Sequence, residues 1–252
     1  MQIGKSEHRL LIDIGNSKIK IASAAPVKIL KTTDIPYTAN SIFSKIKSGI
    51  SKFKKYDFEY IALSSPFHLI SETIVKLIRD YFGIYPLVIN IKLKSPLVIK
   101  YEETLGTDRI CSALGARFDY KNKNILVVDF GTATTYNLIS NFTFKGGLIC
   151  PGILTSLDSL DKKTKLNSKH LKFPARIINN KTNENINGGV LYSSLFTFER
   201  IVQETKKEYG NLFVILTGGL SGFISKKTKI KHTVDKYILF KGMNYFIDYN
   251  TL

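Results

Sequence analysis

One pattern occurs twice in this chain: an apolar strand, Asp-x-Gly followed by small polar residues, and a second strand. Near the N-terminus the run is LLIDIGNSKIKIAS, with Asp13, Gly15, Asn16 and Ser17 at the turn. In mid-chain it is ILVVDFGTATTYNLIS, with Asp129, Gly131, Thr132 and Thr134. Asp13 to Asp129 and Gly15 to Gly131 both span 116 residues. A single Asp-x-Gly is common in tight turns. Two at a matched offset predict a duplicated chain, built as two α/β lobes of related topology with strands leading each half. Ligands of such folds sit at loops beyond the strand ends, where both turns fall.

The residue types at these turns suit a phosphate compound held between the lobes. Gly15 and Gly131 carry no side chain, so backbone N–H groups can approach phosphate oxygens closely. Asn16, Ser17, Thr132 and Thr134 add neutral donors. An Asp at a strand end can hold Mg²⁺, directly or through water, because that ion takes oxygen ligands and keeps several waters. The pair therefore points to an enzyme that handles ATP.

Composition narrows the class. A chain of 252 residues can form one large domain or two modest lobes, each with a core. Hydrophobic content of 44% and charged content of 23% are globular values. There is no membrane-length apolar run, and the stretch at residues 10–14 is cut by Asp13, so a cytoplasmic protein is expected. Cys111 and Cys150 are too few for a disulfide framework or a Cys-rich zinc site. His8, His68, His170 and His232 are scattered, with none at metal-ligand spacing. The net charge of +17 raises a nucleic-acid reading, but lysine supplies 31 of the 37 basic residues. Groove readers and phosphate clamps lean on arginine, so nucleic acid is not the expected partner. Drawing anionic substrates toward a cleft is a milder use of the same charge.

Periodicity predicts paired strands over 9–14 and 18–25, a helix over 41–53, a buried strand at 60–64, a helix over 68–82 and a strand at 87–91. A helix is expected over 107–119, strands at 125–129, 136–139 and 142–148, an amphipathic helix over 190–208, and a buried strand at 212–216. The expected lobes are residues 1–116 with the first turn and 117–252 with the second. They are expected to pack directly and to meet near residues 106–123.

Three further segments carry chemistry. Gly106-Thr107-Asp108-Arg109 opens a helix: Thr107 could cap it, Asp108 complements its dipole, and an adjacent Arg suits a carboxylate or phosphate. The run from Gly146 to Gly152 brings backbone close to something. Thr217-Gly218-Gly219 either approaches an adenosine or caps its strand.

DIGNSKIK, GTDR, DFGTATTYN, FKGGLICPG and VILTGGL stand in the order and rough spacing of the type III pantothenate kinases. This chain resembles that family from Leu10 to about Gly242. The resemblance implies the actin-like ATPase (ribonuclease H-like) fold, with a nucleotide cleft between the lobes. It implies ATP-dependent phosphorylation of pantothenate, the first step toward coenzyme A, by a homodimer needing Mg²⁺ and a monovalent cation (K⁺ or NH₄⁺).

Carried over by resemblance, Asp13, Ile14, Gly15, Asn16, Ser17, Lys18, Ile19 and Lys20 would hold the ATP phosphates, with Asp13 near Mg²⁺. Gly131 and Thr132 would also bind ATP, and Asp129 the monovalent cation. Asp108 would be the general base on the pantothenate hydroxyl. Gly106, Thr107, Arg109 and Tyr101 would contact pantothenate, joined by Thr182 from the partner subunit. This chain departs from the family at three places. Ser17 replaces Thr, Tyr101 lies about two residues closer to GTDR, and Asn137 stands where the family pattern TTFD has Asp. Two alternatives stand beside this reading: another small-molecule kinase of the superfamily, and a family-related regulatory protein that contacts nucleic acid. GTDR argues against the first, and the intact Asp13, Asp108 and Asp129 against the second.

Overall fold

The structure is a computed structural model that describes residues 7–65, 68–102, 104–164 and 171–251. Strands β1 (Arg9–Ile14) and β2 (Lys18–Ala25) pair antiparallel around the first turn, and β3 (Lys28–Pro36) pairs beyond β2. After α1 (Ile42–Ser51), β4 (Tyr60–Ser64) lies parallel to β1 on its free side. After α2 (His68–Phe82), short β5 (Leu87–Val88) lies parallel to β4. Next come β6 (Val98–Ile99) and α3 (Thr107–Asp119).

The second half repeats the scheme. Strands β7 (Asn124–Phe130) and β8 (Ala133–Ser140) pair antiparallel around the second turn, and β9 (Thr143–Pro151) lies beyond β8. Helices α4 (Ile153–Thr164) and α5 (Thr182–Tyr209) precede β10 (Phe213–Thr217), which is parallel to β7. Then α6 (Ser221–Ser225) leads to β11 (Thr233–Val234), parallel to β10, and α7 (Ile238–Thr251) follows. The first sheet has the order β3-β2-β1-β4-β5. The second has β9-β8-β7-β10-β11, the same order, with β6 added beside β9. The duplication inferred from the motif offset is therefore present in the topology.

The chain divides into two compact units, and the expected split at 116/117 is corrected in two places. The first unit runs to Tyr120 and also takes in Phe142–Phe144 and everything from Tyr237 onward; the second holds Lys121–Asn141 and Lys145–Lys236. The C-terminal helix thus belongs with the first turn. The physical reason is a close crossing of α3 and α7. A Cβ on Gly115 would collide with the backbone at Ile238 and Gly242, and a Cβ on Gly242 with the carbonyl of Cys111. At the far end of the crossing, Asp119 accepts bonds from Lys241 at 2.6 Å and Tyr245 at 3.0 Å.

The first sheet has two faces with different roles. Leu10, Ile12, Ile14, Ile19 and Ile21 pack with Ile42, Ile46 and Ile50 of α1 and Ile74 and Ile78 of α2. The alternate residues of β1 face the other way. There Arg9, 1% exposed, is held by Glu7 at 2.9 Å, Asp248 at 2.6 Å and the Asn244 carbonyl at 3.3 Å. A charge so buried survives only with such partners. Asp13 lies on this same face. In the second unit Val128, Phe130, Tyr136 and Leu216 pack under Leu191, Leu195 and Phe198 of α5, which starts eight residues earlier than the expected 190. The apolar spacing that marks 190–208 is missing from its first two turns, where TNENINGG is polar and glycine-rich.

Candidate active site

The first turn is built by side chains around a buried carboxylate. Asp13 is 2% exposed at the end of β1. It is in register with Lys20 on β2 and Ser64 on β4, so all three share a face. Ser64 Oγ donates to Asp13 Oδ1 at 2.8 Å, and Lys20 Nζ stands 4.0 Å from Asp13 Oδ2. Tyr37 Oη donates to the Gly15 carbonyl at 2.6 Å, and its N–H donates to the Ser17 carbonyl at 3.3 Å. Burial, and then the Asp13 charge, raises the Tyr37 phenol above its ordinary value, so it remains a donor at neutral pH. Asn16, Ser17 and Lys18 are exposed at the tip.

The second turn is one residue shorter. Asp129 is half-buried and in register with Thr135 on β8 and Thr217 on β10. Asn137, two residues on from Thr135, is on the same face, and its Nδ2 donates to Thr135 Oγ1 at 3.2 Å. The Thr132 carbonyl accepts from the Gly152 N–H at 3.1 Å and from Thr155 Oγ1 at 2.6 Å. This is what the 146–152 run approaches. Gly218, at φ 87°, packs against Asp129 and the Phe130 backbone, so Thr217-Gly218-Gly219 is a wall of this turn.

One expectation about both turns is corrected. The Gly15 and Gly131 N–H groups do not point out as donors. Each closes its own turn, Gly15 to the Lys18 carbonyl at 3.0 Å and Gly131 to the Ala133 carbonyl at 3.2 Å. The hairpins are too tight to leave these amides over, so outward donors must come from the tip residues.

Thr107 is also not a cap. It is the first residue of α3, preceded by Gly106, and its Oγ1 lies 2.9 Å from Ser64 Oγ. Asp108 is exposed in the first turn, with Oδ1 accepting the Arg109 N–H at 2.9 Å. The Arg109 guanidinium is buried, 5.7 Å from the centres of both the Tyr101 and Phe144 rings. Tyr101, placed with GTDR by resemblance, is thus brought to Arg109 and remains 41% exposed. Burial pushes the Cys111 thiol well up, and the Asp13 and Asp108 charges add to this, so it stays neutral.

Thr182 opens α5 and is exposed. Sequence reading missed Ser64 and Tyr37. Ser64 ends a short buried strand and carries no local signal; only the parallel pairing of β1 and β4 brings it to Asp13.

Among the described residues, no cluster of three His, Cys, Asp or Glu can hold a metal on protein ligands alone. Mg²⁺ needs less: one or two carboxylates, with phosphate and water completing the octahedron. Asp13, a buried carboxylate at the end of β1 that accepts from the Ser64 hydroxyl, fits that donor set. Asp129 with Thr135 and Asn137 offers one carboxylate and neutral oxygens, which suits a singly charged ion.

A sequence profile described as type III pantothenate kinase matches residues 9–204. A type III pantothenate kinase of Finegoldia magna is 31% identical over 96% of this chain and 97% of its own length. Among solved structures, a Campylobacter jejuni protein provisionally titled a Baf family transcriptional activator covers 95% of this chain and 97% of its own, at 22% identity and TM-score 0.59. A Streptomyces griseus ROK family glucokinase, solved with glucose and AMPPNP, covers 97% and 99% at 13% identity and TM-score 0.54. These two likenesses bear on the fold alone, the two-lobed actin-like ATPase fold.

Proposed function

We propose, from the premise that the chain belongs to the type III pantothenate kinase family and so phosphorylates pantothenate with ATP toward coenzyme A, that its two turns and the start of α3 divide the work. Residues Asp13 to Lys20 hold the ATP phosphates, with Gly131 and Thr132 also on the nucleotide. Gly106, Thr107, Arg109 and Tyr101 hold pantothenate, and Asp108 is the base. One observation supports this most. Ser64 joins Asp13 to Thr107 through contacts of 2.8 and 2.9 Å, so the phosphate turn and the substrate helix meet at one buried hydroxyl.

Phosphoryl transfer depends on positioning and on neutralising charge at the γ-phosphate. Mg²⁺, when bound near Asp13, supplies charge neutralisation at the phosphates. Lys20 adds a fixed positive charge on the same face, and Tyr37 keeps the turn from opening. Asp108 has one oxygen engaged by the Arg109 N–H and the other oxygen available to the pantothenate hydroxyl. It takes that proton as the hydroxyl oxygen bonds to phosphorus and ADP leaves. Asp129 holds a monovalent cation beside the second turn.

A homodimer completes the site through Thr182 of the partner. Supporting this, Leu148, Ile149, Leu154, Ile177, Ile178 and Phe196 are all exposed in the second unit and would be covered by a partner subunit seated there. The reaction is cytoplasmic in this reading. No helix among the described residues is long and apolar enough to cross a membrane.

The test is ADP release with and without pantothenate, in the wild type and in Asp108→Asn. The wild type should release ADP only with pantothenate. Asp108→Asn should lose about two orders of magnitude in turnover, the contribution of a general base, with ATP affinity unchanged. Wild-type turnover in this variant would remove Asp108 from the role.

A further inference from the structure

The hydroxyl chain at the first turn has a direction that follows from proton counting. A serine hydroxyl has one proton, and a carboxylate only accepts. Ser64 spends its proton on Asp13 Oδ1. At 2.9 Å from Thr107 Oγ1 it can therefore only accept, so Thr107 is the donor in that contact. The chain runs Thr107 to Ser64 to Asp13, and Thr107 is left with lone pairs and no proton. Ser64 has no solvent exposure, so water cannot take over either bond. Its position is fixed by the backbone, since Ser64 and Asp13 are paired across β4 and β1.

We infer that Ser64 is a positioning residue that couples the two substrates. Its hydroxyl orients Thr107 as a hydrogen-bond acceptor, so the pantothenate group that meets Thr107 must be a donor, a hydroxyl or an amide N–H. The same hydroxyl senses the charge at Asp13. When Mg²⁺ and nucleotide phosphates engage Asp13, the Ser64 bond weakens or strengthens with them, and Thr107 changes as an acceptor. Chains of hydrogen bonds polarise one another in this way. By linkage the effect is mutual: nucleotide changes pantothenate affinity by the factor with which pantothenate changes nucleotide affinity. The inference rests on the site assignment made above and adds the link between its halves.

Calorimetry tests it without turnover. Pantothenate is titrated into the enzyme alone, and into the enzyme saturated with Mg²⁺ and a non-hydrolysable ATP analogue. The ratio of the two affinities measures the coupling, expected at roughly 5–150-fold in the wild type. Ser64→Ala should bring it within about twofold of unity. Ser64→Cys keeps the volume but has only a weak donor, and should also lose the coupling; it carries the test if the alanine variant does not fold. Thr107→Val should behave like Ser64→Ala, and Thr107→Ser like the wild type. Coupling that survives Ser64→Ala, or is restored by Ser64→Cys through volume alone, overturns the inference. A wild type that binds pantothenate with no coupling overturns it and leaves the site assignment standing. A wild type that binds no pantothenate removes both.

Discussion

Asp13 and Asp129 occupy the same place in two sheets of the same order, each between an antiparallel and a parallel neighbour. Asp13 faces Lys20 and Ser64, whereas Asp129 faces Thr135 and Thr217. The first turn sets a lysine 4.0 Å from its carboxylate. The two are also held differently. The first is pinned by Tyr37, whose side chain holds the Gly15 carbonyl and whose backbone N–H holds the Ser17 carbonyl. The second is pinned by backbone and a threonine on the Thr132 carbonyl, with Gly218 pressed against it. Duplication preserved the strand order and left the local chemistry free to diverge. A buried acid beside a lysine suits a triphosphate with a divalent ion; a half-buried acid among neutral oxygens suits a weaker, singly charged ligand.

Removing each acid should expose that division most strongly. Asp13→Asn is expected to lower turnover by about a hundredfold or more, since charge stabilisation through a metal is worth several kcal/mol. More Mg²⁺ should recover part of the loss. Asp129→Asn should cost less, roughly tenfold, and should respond to KCl or NH₄Cl rather than to Mg²⁺. Steady-state rates across both titrations check this. Equal losses with the same salt response would erase the functional distinction between the turns.

Stability should separate the turns next. Gly218 combines φ of 87° with contact against Asp129 and Phe130, so Gly218→Ala should cost about 1–3 kcal/mol, the scale of a strained backbone residue. For a chain of this size that is several degrees in Tm, about 2–4 °C per kcal/mol. At Gly15 an added Cβ would meet only the Lys18 carbonyl, at an ordinary 3.4 Å. Thermal melts should therefore rank Gly218→Ala well below Gly15→Ala. The reverse order would mean that the second turn is not the tighter one.

Local signals in the sequence carry half of this comparison. The strands beside both turns, the buried strand at 60–64 and the helix at 107–119 announce themselves through apolar period and glycine position. The partners of those elements do not. Helix α7 is rich in apolar residues, but its place beside α3 depends on two small residues, Gly115 and Gly242, about half a chain apart. No window of sequence contains both, so a single division at 116/117 misses the return of the chain from Tyr237 onward to the first unit. Ser64 is invisible for the same reason: its meaning comes from Asp13, 51 residues away. Glycine misled in one respect as well. A loop glycine suggests outward amides, yet both amides are consumed in closing the hairpins.

A smaller effect should come from the side chains that pin each turn. Tyr37→Phe removes one hydrogen bond to Gly15, and Thr155→Val removes one to Thr132. A typical intramolecular hydrogen bond is worth about 0.5–1.5 kcal/mol net. Each variant should raise the KM for ATP a few-fold and leave the KM for pantothenate unchanged. If only Tyr37→Phe does so, the second turn is held by its backbone alone, and the contrast between side-chain and backbone clamping becomes sharper.

The finest distinction lies in Asn137. It is 1% exposed, it shares a face with Asp129, and its amide donates to Thr135. An amide oxygen can ligate K⁺ or NH₄⁺ but lacks the charge of a carboxylate, and hard-cation sites gain affinity with carboxylate count. Activity should therefore rise with KCl or NH₄Cl to a plateau, and Asn137→Asp should reach that plateau at a lower concentration. The variant places a second carboxylate in a buried site, which is costly unless a cation joins it. Its Tm should thus lie below the wild type without salt and climb more steeply with KCl, because a ligand stabilises the state that binds it. NaCl in parallel separates a specific site from general ionic strength. If the variant's Tm and activity follow the three salts no differently from the wild type, Asn137 is no part of a cation site, and the second turn's neutral oxygens are there for packing.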